Sequence, residues 1–592
     1  MFKKFLFATL CLILSCGIQV HAAPAATAAV KTLHVLLTGS ETGLDPAVAS
    51  DLSSLSLMEN MFEPMLGYDY LARPVKLQAN TLVSMPHIED GGMTYTFQIK
   101  PGILFAPDPA FQSASREVTA QDYVYSFKRL YDPGLKSPWL FLFENRILGD
   151  AVLRPADGKF SYDTLVPGLQ ALDRYTLRIR LARPDPDFLF YLAMPAAGVV
   201  SRVVVDAYPG QFGNHPVGSG PFMMGEWKHG DKIVLLANPD FRGSLFHAGL
   251  DVLDSPDPAT RALAAALEGR RLPLVGRIEV RIVEEYQARM LGFLKGDFDY
   301  IEQVPESLAD MVLSGGSLKT PLAQKGMVLS RFPVLQTYYM WMNMDDPVLG
   351  GYGKAKVALR RAIALSYNGA EDIALLKKGL ALRAQSPLPP NVLGYDAAYR
   401  SSVAYDPQLA RALLDRYHYT LQKDGFRTLP GGAPLALVMH SETGSAGRLR
   451  DELWRKNLTA IGIRVVFKSD KKTEIIKASR LGKVQMFETN WIADFPDGDN
   501  FFQLLYGPNS GGNNYARFNL LAYNKLYEQA HALPDSPQRR LLYRGMMQWI
   551  DAYNPWVLLT HPISLDLRQP WLKNYQRHPV QLTAWRYLDV AP

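Results

Sequence analysis

Strand-like and helix-like stretches alternate along most of this chain, with no internal repeat and no low-complexity linker between them. Strand-like apolar runs, alternating at Tyr95–Lys100 and Tyr175–Leu181, occur also at Leu33–Leu37, Lys232–Ala237, Ile278–Val283, Thr337–Asn343, Leu435–Met439 and Ile463–Phe467. Between them, helical spacing of apolar residues marks Ser53–Met65, Tyr123–Leu130, Tyr286–Leu294, Ala355–Tyr367, Asp406–Tyr417 and Arg448–Ile461. Such alternation predicts α/β domains. A chain of 592 residues exceeds what one hydrophobic core can organise, so two or three domains are expected. With no floppy linker available, the chain must cross between domains through ordered segments. Residues 243–273, rich in proline and charge, read as a surface excursion.

One stretch concentrates binding chemistry. Val484–Tyr506 opens as an apolar, aromatic strand, reaches Asp494, turns through Phe-Pro-Asp-Gly-Asp-Asn, and resumes as a short apolar helix. In open α/β sheets ligands lie beyond the carboxyl ends of strands, where this order puts Trp491 and Asp494. A carboxylate there can pair with a cationic ligand group, and an indole can cover an apolar part. Taken alone, the same residues serve equally well as a turn starter and a core aromatic.

The N-terminus predicts export. Lys3 and Lys4 precede an apolar run from Phe5 to Cys16, and Val20-His21-Ala22 suits cleavage before Ala23. Residues 1–22 are therefore expected to be a signal peptide and residues 23–31 a disordered tether, with the protein released to the periplasm. Ile13-Leu14-Ser15-Cys16-Gly17 resembles a lipobox and leaves lipidation of Cys16 as the alternative. Cys11 and Cys16 are the sole cysteines, so cleavage removes all thiol and disulfide chemistry. The formal net charge of +6, spread over this length without basic blocks, argues against nucleic acid as a partner.

Signatures of catalysis are missing. There is no G-x-S-x-G, no H-E-x-x-H, no P-loop and no G-x-G-x-x-G. The 11 histidines are scattered singly, without the local pairing that marks a metal site on one element. His215, His229 and His561 are expected to be structural or surface residues. No cofactor, no metal and no enzymatic activity are expected.

Several ordered motifs resemble the extracellular solute-binding proteins that include oligopeptide- and dipeptide-binding components of ABC importers. They are Gly43-Leu-Asp-Pro46, Met61-Phe-Glu-Pro-Met-Leu-Gly67, Tyr95-Thr-Phe-Gln-Ile-Lys-Pro-Gly102 and Val118-Thr-Ala-Gln-Asp-Tyr-Val-Tyr-Ser-Phe-Lys-Arg129. Pro216-Val-Gly-Ser-Gly-Pro-Phe222, Trp227, Asn238-Pro-Asp-Phe-Arg-Gly243, Lys295-Gly-Asp-Phe-Asp299, Trp454 to Gly462 and Trp491-Ile-Ala-Asp494 continue the series. The resemblance implies a two-lobed α/β periplasmic binding protein of type II (cluster C), with an extra domain inserted in the N-terminal lobe. Its expected divisions are 32–66, 198–333 and 559–592 for lobe I, 67–197 for the inserted domain, and 334–558 for the other lobe. Hinge closure would enclose the ligand.

The resemblance also implies site roles. Asp494 would pair with a peptide α-amino group, and backbone near Asn490 and Ile492 would pair with the peptide as an added strand. Trp491, Tyr339 and Trp139 would line the pocket, and Arg480 would lie near the far end of the ligand. Glu488 stands where an oligopeptide binder has a carboxylate-receiving arginine, and Thr560-His561-Pro562 replaces a tyrosine-rich segment. These departures point to an altered pocket. The expected function is a monomeric receptor that hands peptides to an inner-membrane ABC permease. Receptors for haem, a chelated metal or an opine-like solute form a second reading, and an exported hydrolase a third.

Overall fold

A computed structural model describes residues 30–155 and 158–591. The expected signal peptide and nearly all of the tether lie outside the described residues.

The expected alternation is met by a mixed α/β chain built on three larger sheets. The first has four strands in the order Thr32–Leu37, Arg277–Ile282, Lys232–Ala237 and Phe222–Lys228. Its first pair is parallel and the others are antiparallel. Pairing residues 32–37 with residues 277–282 explains why both runs alternate: each presents one buried row, including Leu33, Val35, Ile278 and Val280. A second sheet is wholly antiparallel, in the order His87–Glu89, Thr94–Gln98, Thr176–Arg180 and Leu169–Ala171. Against it packs helix Ala120–Arg129, whose Asp122 carboxylate accepts from the Thr119 amide at 2.8 Å and the Thr119 hydroxyl at 2.7 Å.

The third sheet has eight strands, with Trp556–Arg568, Gln336–Met342 and Met486–Ile492 side by side near its middle. Trp556–Arg568 is 13 residues long and serves two neighbourhoods. Its first half pairs with Gln336–Met342, and its second half pairs with Val328–Pro333. Residues 328–342 thus follow the same long strand in two pieces, broken at Val334-Leu335. Pro562 sits at that break, which a proline tolerates because it cannot supply a ladder N–H. Its carbonyl still accepts from the Val334 amide at 3.1 Å. On either side of the sheet lie separate apolar clusters, one around Tyr339, Trp341 and Phe487, the other around Met340, Met342 and Met486.

The Pro216–Phe222 motif has a steric cause. The Gly220 amide donates to the Met61 carbonyl at 2.8 Å, and a Cβ on Gly218 would come within 2.0 Å of that same oxygen. The helix expected over Ser53–Met65 runs Leu52–Met61 and ends there, against this crossing. The segment expected as a surface excursion, residues 243–273, is largely exposed but is not without structure. It contains helix Pro258–Leu267, started by Asp257, and buries Val252, Ala264 and Leu267 against the main apolar cluster.

Candidate functional site

Strand Met486–Ile492 pairs along its whole length with Gln336–Met342. The Ala493 amide donates to the Leu335 carbonyl at 2.9 Å, and the Asn343 amide donates to the Gln485 carbonyl at 2.9 Å. These two bonds fix the phase of an antiparallel pair: odd-numbered residues turn their main chain toward Gln336–Met342, and even-numbered residues turn theirs away. On that outer side, Ala436–Glu442 covers only Met486 and Phe487. The backbone N–H and C=O of Asn490 and Ile492 therefore face an uncovered edge, and Ile492 is 62% exposed. An extended chain can add to such an edge.

Beyond the strand, Asn500 organises the turn. It is fully buried, donates from Nδ2 to Asp494 Oδ2 at 3.0 Å, and accepts at Oδ1 from the Asp494 amide at 3.2 Å and Trp491 Nε1 at 2.7 Å. One amide side chain thereby sets the positions of the indole and the carboxylate together. The turn is anchored further by Asp497, whose carboxylate receives Arg539 Nη1 at 2.6 Å and the Tyr543 hydroxyl at 2.9 Å. Phe495 packs between Phe190 and Tyr191, with ring centroids at 5.9 Å and 5.8 Å.

Asp494 is open to solvent on one side, while protein crowds its others. That desolvation pushes its carboxyl above the ordinary aspartate value, and the Asn500 amide partly opposes the rise. No cation of this chain pairs with it among the described residues. A cationic ligand group placed here would meet an exposed carboxylate, and the pair would become strong only once the bound ligand excludes water from it.

The other expected site residues scatter. Tyr339 is 2% exposed and stacks on Trp556 at 3.8 Å, which makes it a core aromatic in this conformation. Trp139 is half-buried and donates from Nε1 to the Ala49 carbonyl at 2.9 Å; neither this bond nor its ring contact with Phe141 reaches the Asp494 turn. Arg480, expected near the far end of the ligand, lies well away from Asp494. It ends helix Lys472–Arg480, and its carbonyl meets Arg517 near Gly482, at the start of the strand. Nine residues of strand, at about 3.3 Å each, put roughly 30 Å between Gln485 and Asp494. The helix runs back along the strand, so its first residue is the one near the open edge. Lys472 Nζ donates to Asn490 Oδ1 at 3.1 Å and lies 3.9 Å from Glu442. Sequence reading missed Lys472; its signal was a lysine opening the helix that precedes the binding strand.

The departures from the resemblance also have structural places. Glu488 is buried, accepts from Trp454 Nε1 at 2.8 Å and lies 3.9 Å from Arg450. Burial raises its carboxyl, and Arg450 and the Trp454 bond oppose the rise. His561 is 3% exposed, its Nδ1 lies 3.1 Å from the Thr337 hydroxyl, and its Nε2 has no hydrogen-bond partner. Burial lowers its pKa to about 4, so it is neutral at physiological pH.

The profile of the bacterial extracellular solute-binding proteins, family 5, matches residues 76–513. The chain belongs to this family. It is a solute receptor, not an enzyme, in agreement with the missing catalytic motifs. A di/tripeptide-binding protein 2 from Pseudomonas aeruginosa is 25% identical over 575 residues, covering 94% of this chain and 95% of that protein. A heme-binding protein A from Haemophilus influenzae is 24% identical over 510 residues, covering 85% of this chain and 82% of that protein. Among solved structures, the periplasmic murein tripeptide-binding protein MppA in its unliganded open form superposes with a TM-score of 0.74. It is 20% identical, and the match covers 95% of this chain and 98% of that one. Together these establish the two-domain periplasmic-binding-protein fold. Among the described residues, no helix is long and apolar enough to cross a membrane.

Proposed function

We propose that this protein captures short peptides in the periplasm and delivers them to an ABC permease in the inner membrane. The peptide adds to the uncovered edge at Asn490 and Ile492, with its α-amino group on Asp494 and its carboxylate on Lys472. The observation that carries this reading is the open edge ending at Asp494, with Asn500 holding the carboxylate and the Trp491 indole in place. Four residues of strand separate Asn490 from Asp494, roughly 13 Å, while an extended tripeptide spans roughly 10 Å. That spacing favours peptides of two or three residues, the class in the name of the Pseudomonas relative. Residues 32–66, 198–333 and 559–592 form one lobe, residues 67–197 its inserted domain, and residues 334–558 the other lobe. The strands broken at Val334-Leu335 and continued through Pro562 are the crossings about which the lobes close. Residues 1–22 direct export, and the mature receptor works as a monomer.

Native mass spectrometry of the purified protein, followed by sequencing of what denaturation releases, tests this. The expected result is a set of two- and three-residue peptides with free α-amino groups. A single non-peptide mass, or long peptides alone, would overturn it. A second reading, capture of haem, is favoured by the Haemophilus relative; a Soret absorbance band in the purified protein would select it.

A further inference from the structure

Away from the open edge, a second set of polar groups is left unpaid in charge. Asp187, Asp499 and His531 each bring one donor atom to a place where all three lie within 4.8 Å of one another. Asp187 and Asp499 are 1% and 5% exposed, while the His531 side chain is 40% exposed. The three come from separate parts of the chain. Asp187 precedes helix Phe188–Tyr191, Asp499 opens helix Asp499–Phe502, and His531 ends helix Leu521–His531.

The surrounding groups leave Asp187 unpaired. Four carboxylates, from Asp185, Asp187, Asp497 and Asp499, share this region with two arginines, Arg146 and Arg539. Arg146 is paired with Asp185. Arg539 gives Nη1 to Asp497 at 2.6 Å and Nε to the Ala530 carbonyl at 3.0 Å, and it makes no hydrogen bond to Asp187. Asp499 accepts from the Tyr527 hydroxyl at 3.1 Å and sits 3.1 Å from His531 Nδ1. Tyr191 and Tyr543 complete the surroundings. Asp187 Oδ1, in contrast, is buried with no hydrogen-bond partner. A buried, unpaired carboxylate facing a second carboxylate is costly unless a cation joins them.

We propose that Asp187, Asp499 and His531 hold a divalent cation of the zinc or manganese class. Two carboxylates and one imidazole are a donor set these ions accept, with a remaining position for water. Tetrahedral bonds of about 2.0–2.2 Å place donors about 3.3–3.6 Å apart, close to the present separation of Asp499 and His531. Small side-chain rotations bring Asp187 in. The half-exposed imidazole gives the ion its path. Once bound, the ion ties the segment before residues 188–191 to two helices of the later chain, at the contact where Phe495 meets Phe190 and Tyr191. No local motif announced the site, because its donors are 32 and more than 300 positions apart.

The purified protein, stripped with a chelator, would be titrated with zinc chloride and separately with manganese chloride in a calorimeter, and its metal content counted afterwards. Tm would be read with and without each ion. One ion per chain and a higher Tm in its presence are expected, with Asp187→Asn abolishing both effects and His531→Gln weakening binding at least tenfold. His531→Gln alters a half-exposed helix end and keeps the test decisive if Asp187→Asn fails to fold. The proposal is overturned if the wild type takes up neither ion stoichiometrically, which would mean that protons alone neutralise the cluster. It is also overturned if His531→Gln binds as tightly as wild type.

Discussion

The Asn500 side chain makes three hydrogen bonds, all to Trp491 and Asp494, so both expected ligand groups depend on it. Asn500→Ala removes those bonds from a fully buried position and should cost about 1–3 kcal/mol of stability. It should also lower peptide affinity several-fold, because Trp491 and Asp494 lose their common support; calorimetry and urea unfolding on one preparation read both. Asp494→Asn keeps the shape and the Asn500 contact, so its expected loss of more than tenfold in affinity reports charge alone. The pH dependence follows from the direction of the Asp494 shift. Its folded pKa is raised, so the protonated form favours the folded chain, and this contribution fades as pH rises through the folded value. Binding runs the other way, since the amino-group pair needs the carboxylate. Affinity should fall on acidification, beginning at a higher pH than for an ordinary aspartate, and Asp494→Asn should flatten the profile. Trp491 and Asp494 were legible in the sequence because they end a strand before an obvious turn. Asn500 was not, because its role exists only once the turn folds back.

At the level of the element, the open edge of Met486–Ile492 is a property of pairing. Ile492 turns its N–H outward, away from the Gln336–Met342 ladder. Ile492→Pro therefore deletes a donor offered to the ligand without deleting a ladder bond. Peptide affinity should drop at least fivefold while Tm changes little; an unchanged affinity would remove the added-strand reading. Trp491→Pro is the contrast, since it breaks the ladder and should destabilise the fold. The strand itself was legible from its apolar run, and so were its neighbours, because period-two burial follows directly from pleating. Which edge stays uncovered was not legible, since it depends on Ala436–Glu442 stopping its pairing at Phe487. Nor was the direction of helix Lys472–Arg480, which brings Lys472 beside Asn490.

At the scale of the whole molecule, the long strand Trp556–Arg568 joins two neighbourhoods, pairing with Gln336–Met342 along one half and with Val328–Pro333 along the other. Closure about this crossing should bring the inserted domain and lobe I over the Asp494 edge. Small-angle scattering with and without a saturating tripeptide measures it: the radius of gyration should fall on binding. An unchanged radius would count against hinge closure while leaving the edge site intact. Residues 334–335, between the two ladders, are where the backbone is expected to absorb the motion.

The class of fold, the family and the strand that carries the candidate site can be read along the chain. Each of those rests on local periodicity or on motifs read in order along the chain. Tertiary structure decided which residues meet. It drew Tyr339 into the core, put Arg480 at the start of the strand, and brought Lys472 to Asn490. It also gathered Asp187, Asp499 and His531 from distant segments. Strand pairing and helix direction fix such meetings, and neither leaves a trace in the spacing of residues along one segment.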